Sequence, residues 1–398
     1  MIRKDIVYIG GFELPNRNAA AHRVIANAHI FRELGYNVIF IGVDKGLESS
    51  SGLVKSEADY YGFECWSLPY PKNMLDWVRY IVGLASVRDF LISRAPNMKA
   101  LIAYNYPAVA QLRYSRICRK RGALGISDAT EWYDASAGKI LYRLVKWLDT
   151  SLRMHLVNRL SDAIVTTSQF LTNFYADSNR PALELPTLFV TENFSPPPAR
   201  KEGCRRFIYV GNPFDAEKVN ASRSNVKERL DVLIASFGRL HAAGYKFRFD
   251  IYGIDSNRYL AVYPEHIGVL KGCEECVFFH GFADNEFVKT EIAQSDFSVF
   301  VRDETRVTLA GFPSKMAESI SLGTPVATNV TSNILKYFDK PFVLKLDRSE
   351  LDTSVLALID ASDCDIRLLS DQAFQSNLFD FRKYISEAET FFEKLKKR

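Results

Sequence analysis

The sequence predicts an α/β protein made of two consecutive parallel-sheet domains. Three observations carry that expectation. Short apolar runs alternate with helical patterns along the chain. Many of these runs end in glycine, as strand–turn–helix units do. The alternation breaks at Pro196-Pro197-Pro198 and then restarts, which makes that segment the expected hinge. A length of 398 residues suits two domains better than one.

The first domain is expected over residues 1–195. Its opening run, 5–9, ends in Gly10-Gly11. A helix follows from about 19 to 34, stopped by Gly35, and 37–41 is the next strand. Strand, glycine turn, helix and strand form a βαβ unit, whose strands run parallel. Runs at 100–104, 125–128 and 162–167 extend the sheet, and a helix over 169–175 follows the last.

The second domain is expected over residues 205–376. Strands at 206–210, 247–252 and 277–280 end in Gly211, Gly253 and Gly281, and a helix over 229–243 lies between the first two. A helix over 285–294 precedes a strand at 297–301, and a helix over 313–322 precedes one at 324–328. A charged helical pattern over 377–398 is expected to pack back on the first domain. Two facing sheets leave a cleft at the carboxyl ends of their strands, where open α/β sheets bind ligands.

Composition narrows the function. Hydrophobic residues make up 47% and charged residues 25%, enough apolar material for two cores. A net charge of +4 is too mild to argue for nucleic acid; it suits anionic ligands or an anionic membrane surface. The six cysteines are scattered, and the opening residues do not read as a leader, so reduced thiols and a cytoplasmic location are expected. Cys273 and Cys276 form a lone C-x-x-C without two further ligands at zinc spacing, so no metal and no cofactor is expected. Asp363-Cys364-Asp365 lies near the C-terminus, away from the expected cleft. No run of 18 apolar residues exists to span a membrane.

The most informative stretch is Gly311-Phe312-Pro313-Ser314-Lys315, followed by Glu318 and Gly323-Thr324-Pro325-Val326. Gly311 is expected to give a close turn. Pro313 suits a first helical turn, where its missing N–H costs nothing. The N–H groups at that helix start suit a diphosphate, and Lys315 adds a cation. Glu318, one turn on, can accept two hydrogen bonds from a ribose diol.

These residues resemble the retaining GT-B glycosyltransferases of family 4, the glycosyltransferase group 1 type. The family signature is E-x7-E followed by G-x-P-V. Glu318 matches its second Glu and Gly323-Thr324-Pro325-Val326 its turn, within a branch carrying G-F-P-S-K. The first Glu, which contacts the donor sugar in the family, falls on Ala310, with Asp303 and Glu304 as nearby substitutes. The resemblance implies a GT-B fold of two facing Rossmann-like domains that bind a nucleotide-sugar donor. It extends to Gly211 and Asn212, to Tyr252-Gly253, to His280-Gly281-Phe282 beside the base, and to Lys227 or Arg229 as diphosphate cations, with Lys218 and Arg223 nearby.

In the first domain, Gly10-Gly11 with Asn18-Ala19-Ala20 and Arg23 resembles the family's opening loop and helix, which face the phosphates and the acceptor. Asp128 to Asp134 contains an E-W-Y-D element. Trp132 and Tyr133 offer faces to an acceptor sugar, and Glu131 or Asp128 is expected near the anomeric carbon. With retention the leaving diphosphate takes the acceptor proton; with inversion such a carboxylate acts as base. Basic and apolar residues alternate at helical spacing over 139–160, which gives either a core helix with a solvated face or a helix resting on anionic lipid at the inner face of a membrane. The expected activity is glycosyl transfer to a saccharide or lipid-linked acceptor in surface polysaccharide or glycoconjugate synthesis. An epimerase or phosphorylase on the same fold, or a silent nucleotide-sugar-binding subunit, are the alternatives. No nucleic acid is expected as a partner.

Overall fold

The computed structural model describes residues 4–14, 19–57, 60–133, 140–191, 194–197, 203–214, 219, 223 and 226–396. Asn18, Asp134, Lys139, Pro198 and Lys218 lie outside them.

Two sheets organise the chain. The first contains β1 (Asp5–Gly10), β2 (Asn37–Asp44), β3 (Val54–Lys55), β4 (Glu64–Pro69), β5 (Met98–Tyr104), β6 (Leu124–Ala129), β7 (Ala163–Thr166) and β8 (Ala182–Glu184). Their order is β3-β4-β2-β1-β5-β6-β7-β8, parallel except for the β3–β4 pair. The second contains β9 (Arg205–Val210), β10 (Phe247–Tyr252), β11 (Val277–Gly281), β12 (Phe297–Phe300), β13 (Val326–Thr328) and β14 (Val343–Lys345). Its order is β11-β10-β9-β12-β13-β14, all parallel.

Every residue of β1 is buried, because helices cover both faces of the sheet. Alternate side chains enter different cores: Ile6 and Tyr8 join the one that contains Val24 and Phe31, and Val7 and Ile9 join the one beneath the Ala85–Arg94 and Ala108–Arg119 helices. In each sheet the strand order reverses beside its first strand, at β1/β5 and at β9/β12. Those are the switch points where open α/β sheets bind ligands.

One expectation needs correction. The pattern over 377–398 is not one helix: Asn377 takes φ +47 and ends the Asp363–Ser376 helix, and the last helix is Ile385–Lys396. It packs on the Ala19–Glu33 helix, with the Phe392 ring 5.7 Å from Phe31 and 5.0 Å from Tyr36. From 140 to 160 the chain is continuously helical, as expected, with a π-bulge at Arg153–Val157 between Ile140–Leu152 and Asn158–Leu160. Strands β3 and β4 and the Met74–Val82 and Ala85–Arg94 helices complete the first unit at positions for which the apolar pattern carries no expectation. Among the described residues no helix is long and apolar enough to cross a membrane.

Candidate active site

The second sheet builds a pocket at its switch point. Strands β9, β10 and β11 all end in glycine at one level. Gly211 N–H donates to the Tyr252 carbonyl at 2.9 Å, and Gly253 N–H donates to the Gly281 carbonyl at 2.7 Å. Gly211 takes φ +128 and Gly253 φ +97, and a Cβ on Gly253 would lie 2.7 Å from the Gly211 backbone. Only glycine fits such an approach. Above these ends lies a cavity of about 430 Å³, lined by Gly211, Asn212, Tyr252, Gly253, Phe282, Ser314 and Glu318 and closed from the first unit by His22 and Thr187. Seven of the expected donor-binding residues meet there.

Each wall has a chemical character. Phe282 is 69% exposed, with the Arg258 guanidinium 5.6 Å from its ring centroid, and offers aromatic surface to a nucleobase. The Tyr252 ring is buried, stacked on His280 at 4.4 Å, so its backbone rather than its hydroxyl meets the pocket. The Ser314–Ser321 helix starts at the pocket and carries no side-chain cap, so its first N–H groups point at an anion site. Burial pushes the Glu318 carboxyl above the usual glutamate range. His22 was not anticipated. Burial, and then the Lys289 charge, push its imidazole down, so it is neutral at pH 7. It also lines an adjoining cavity of about 460 Å³ against the segment linking the two units.

Other expected donor residues have different jobs. Gly311 takes φ −81, open to any residue, and a Cβ there would meet nothing closer than 3.5 Å, so no close turn depends on it. Its carbonyl accepts from Asn333 Nδ2 at 2.7 Å, which pins the loop. Phe312 packs on Tyr337 and Phe379, and Pro313 is buried at the helix start. Gly10 leaves no room for a Cβ, which would sit 2.8 Å from Phe12 and Tyr104; Gly11 is open.

The expected diphosphate cations need correction. Lys227 is exposed, and Arg229 is paired with Asp231 at 2.7 Å and Asp303 at 3.2 Å. Arg223 pairs with Glu265. The cations beneath the pocket are Lys315 and Arg302, gathered around buried Glu228. Asp303 also accepts from Arg348 at 2.5 Å, and Glu304 accepts from the Ser332 N–H at 2.6 Å, so both proposed stand-ins for the missing Glu are engaged.

First-unit residues resolve into two groups. Arg23 and Asp128 form a buried ion pair at 2.8 Å. Tyr8 donates to the second Asp128 oxygen, and Arg23 Nη1 donates to the Leu185 and Pro186 carbonyls at 2.6 and 3.0 Å. With side chains 4% and 0% exposed, neither reaches an acceptor or an anomeric carbon; the pair ties β6 to the Ala19–Glu33 helix and the chain after β8. Glu131 is half-buried at the sheet's carboxyl edge. Burial, and after it the Glu131 charge, push up the pKa of Tyr104, the strand partner of Gly10. Trp132 and Tyr133 each carry a guanidinium over the ring, Arg306 at 4.9 Å and Arg153 at 4.8 Å. None of Glu131, Asp128, Arg23, Trp132 or Tyr133 lines either cavity.

Ala310 is explained by packing. It is 0% exposed and lies in an apolar cluster with Ala129, Met154, Ile164, Leu171 and Tyr175 of the first unit. Its carbonyl accepts from Ser168 Oγ at 2.8 Å. Where the resembled family has a sugar-binding carboxylate, this chain has a dry contact between its two units.

Cys273 and Cys276 are buried thiols, and among the described residues no cluster of His, Cys, Asp or Glu is placed to hold a metal ion. Asp363 pairs with Arg205 at 2.9 Å.

Residues 219–359 match the family model described as glycosyl transferases group 1. No curated protein sequence matches the chain significantly. Three solved structures are similar over nearly its whole length. Sucrose-phosphate synthase from Thermosynechococcus elongatus has TM-score 0.67 at 12% identity, covering 99% of each chain. An Anabaena protein in complex with UDP and glucose has TM-score 0.62 at 10% identity, covering 98% of this chain and 100% of that one. The catalytic domain of starch synthase IV from Arabidopsis thaliana, bound to ADP and acarbose, has TM-score 0.67 at 11% identity, covering 100% of each chain. At such identities the likeness speaks for the fold, which is GT-B. With the family match over the pocket-bearing unit, it defines the class: the chain is a GT-B glycosyltransferase.

Proposed function

We propose that the chain moves a sugar from a nucleoside-diphosphate sugar to a saccharide or lipid-linked acceptor, with retention, in surface polysaccharide or glycoconjugate synthesis. The observation that carries the donor half is the convergence of Gly211, Gly253, Phe282, Ser314 and Glu318 on one pocket at a sheet switch point. Phe282 stacks on the base, Glu318 accepts from the ribose diol, and the helix start at Ser314 takes the diphosphate. The UDP and ADP bound in two of the similar structures support this reading. Retention rests on the sequence resemblance. The leaving diphosphate, stabilised by Lys315 and helix N–H groups, takes the acceptor proton, and no metal ion or other cofactor is required in this scheme.

Titration with UDP, GDP, ADP and CMP sugars tests the donor site. One nucleotide is expected to bind, and Glu318→Ala to weaken it by about 1.5–3 kcal/mol, roughly ten- to a hundredfold. The carboxylate is the accepting form and its pKa is raised, so affinity falls as pH drops, beginning above the usual glutamate range. Unchanged affinity in Glu318→Ala would remove the ribose role; no binding by the wild type would remove the donor reading.

The lipid-linked acceptor is favoured by one surface. On the Ile140–Leu152 helix Leu144, Trp147 and Leu148 are 50%, 56% and 51% exposed, contrary to a core helix. Met74, Leu75 and Val78 of the Met74–Val82 helix are exposed too, and both helices flank Ala108–Arg119. Arg79 and Arg143 are exposed on the same two helices. Such a basic, apolar face suits anionic lipid. Cosedimentation with vesicles containing anionic phospholipid is expected for the wild type and lost in Leu144→Glu/Trp147→Glu. Equal sedimentation of both proteins would dismiss this face.

A further inference from the structure

We infer that Glu228 is a positioning residue of the diphosphate seat: its carboxylate holds the Lys315 ammonium beneath Gly211 and cancels one of two buried cations there. This rests on the donor reading above and goes beyond it, because an acidic residue in a diphosphate seat is the reverse of what the ligand's charge asks for.

Lys315 leaves the first turn of the Ser314–Ser321 helix and runs under the end of β9. Its Nζ lies 4.0 Å from the Tyr209 ring centroid and 3.3 Å from where a Gly211 Cβ would sit. Glu228, just before the Leu230–Ala242 helix, meets it from below, and Tyr209 OH donates to the same carboxylate oxygen at 2.5 Å. Arg302, after β12, brings Nε to 4.0 Å from the other oxygen. Glu228, Arg302 and Lys315 are 8%, 6% and 8% exposed. Arg302 Nε and Nη1 have no hydrogen-bond acceptor among the described residues.

Two cations and one anion leave the cluster one positive charge in excess, with guanidinium donors unmet. Buried charge of that kind calls for an external anion. The cluster lies under Gly211 and beside Ser314, which wall the pocket, so a diphosphate there answers it. Removing Glu228 would leave two cations adjacent in a low-dielectric site, where one sheds its proton. The groups that face Lys315 are Tyr209 on β9, Glu228, Arg302, and Glu318 on its own helix. Burial pushes Lys315 below the usual lysine range and Arg302 adds to this, while Glu228 and Glu318 oppose it. Glu228 therefore keeps Lys315 charged, and also limits how tightly the seat grips its anion, which helps the product diphosphate leave.

The test is calorimetric binding of UDP-glucose, GDP-mannose and ADP-glucose between pH 6 and 8.5, a range in which their diphosphate diesters keep constant charge. Wild type is expected to bind one with a flat profile. Glu228→Gln is expected to bind it about tenfold tighter at pH 6 and to lose about tenfold toward pH 8.5 as Lys315 deprotonates. Glu228→Asp, which keeps the charge but draws it back from Lys315 by one methylene, is expected to move the same way by less, and carries the test if Glu228→Gln does not fold. A flat profile at wild-type affinity overturns the inference, and so does a uniform loss at every pH. Absence of wild-type binding overturns the donor reading, and this inference with it.

Discussion

Asp128→Ala is expected to destabilise the first unit by about 3–5 kcal/mol, the cost of leaving a buried charge without its partner. Arg23 would keep its guanidinium in a site 3% exposed, with carbonyls and Thr167 as its remaining acceptors. Tyr8 would lose the oxygen it donates to, deep beneath the sheet. Domains are stable by only about 5–15 kcal/mol, so the loss is a large share of the total. It can be read separately from the second unit, because all four tryptophans, Trp66, Trp77, Trp132 and Trp147, belong to the first. Urea unfolding followed by tryptophan fluorescence should shift to lower denaturant, with nucleotide affinity of the folded protein unchanged. If Asp128 instead did chemistry at the anomeric carbon, the variant would keep its midpoint and lose turnover. Replacing the whole network, Tyr8→Phe with Arg23→Met and Asp128→Leu, should recover most of the loss, since no charge is then left unpaired.

That pair marks the limit of what was legible in the sequence. A polar residue at the carboxyl end of a strand reads as a site residue, because that is where sites lie. Arg23, which neutralises it, is 105 residues away, and nothing local reveals the partnership. The cluster of Lys315, Glu228 and Arg302 was hidden in the same way: Lys315 and Glu228 are 87 residues apart, and the neighbouring Lys227 and Arg229 have the sign a diphosphate wants. Features fixed by local chemistry were readable. Strand β10 and the Gln169–Tyr175 helix have the expected bounds, because Phe247, Phe249 and Ile251 alternate with Arg248 and Asp250 up to the Gly253 turn and Ser168 caps the helix. Gly211 and Gly253 were readable because φ values of +128 and +97 are ones that residues with a side chain rarely adopt. The Met74–Val82 helix was not, because Met74, Leu75 and Val78 face outward and break the link between apolar and buried.

Ala310→Glu should separate the family pattern from this chain's own architecture. In the resembled family a Glu here touches the donor sugar, so restoring it would be expected to raise donor-sugar affinity or turnover. The structure gives the opposite expectation. The position is fully buried against Met154, Leu171 and Tyr175 of the other unit, with Trp132, Phe170 and Phe174 packed around them. Overpacking alone costs about 1–3 kcal/mol, and an unpaired buried carboxylate several more. The group has one escape, which is to part the two units at this contact and reach water. That would break the Ser168–Ala310 hydrogen bond and the stacking of Arg306 over Trp132, while leaving both sheets intact. The expected result is therefore a larger radius of gyration by small-angle scattering and faster proteolysis near the linker. Donor affinity should hold, because Gly211, Phe282 and Glu318 all belong to the second unit. Turnover, which needs both units on one substrate pair, should fall by roughly a hundredfold or more, as misplacement by an ångström does. Ala310→Ser, small and able to bond locally, should do little. Gain of activity in Ala310→Glu at unchanged dimensions would mean that the contact opens during catalysis and that the missing carboxylate has a place to go.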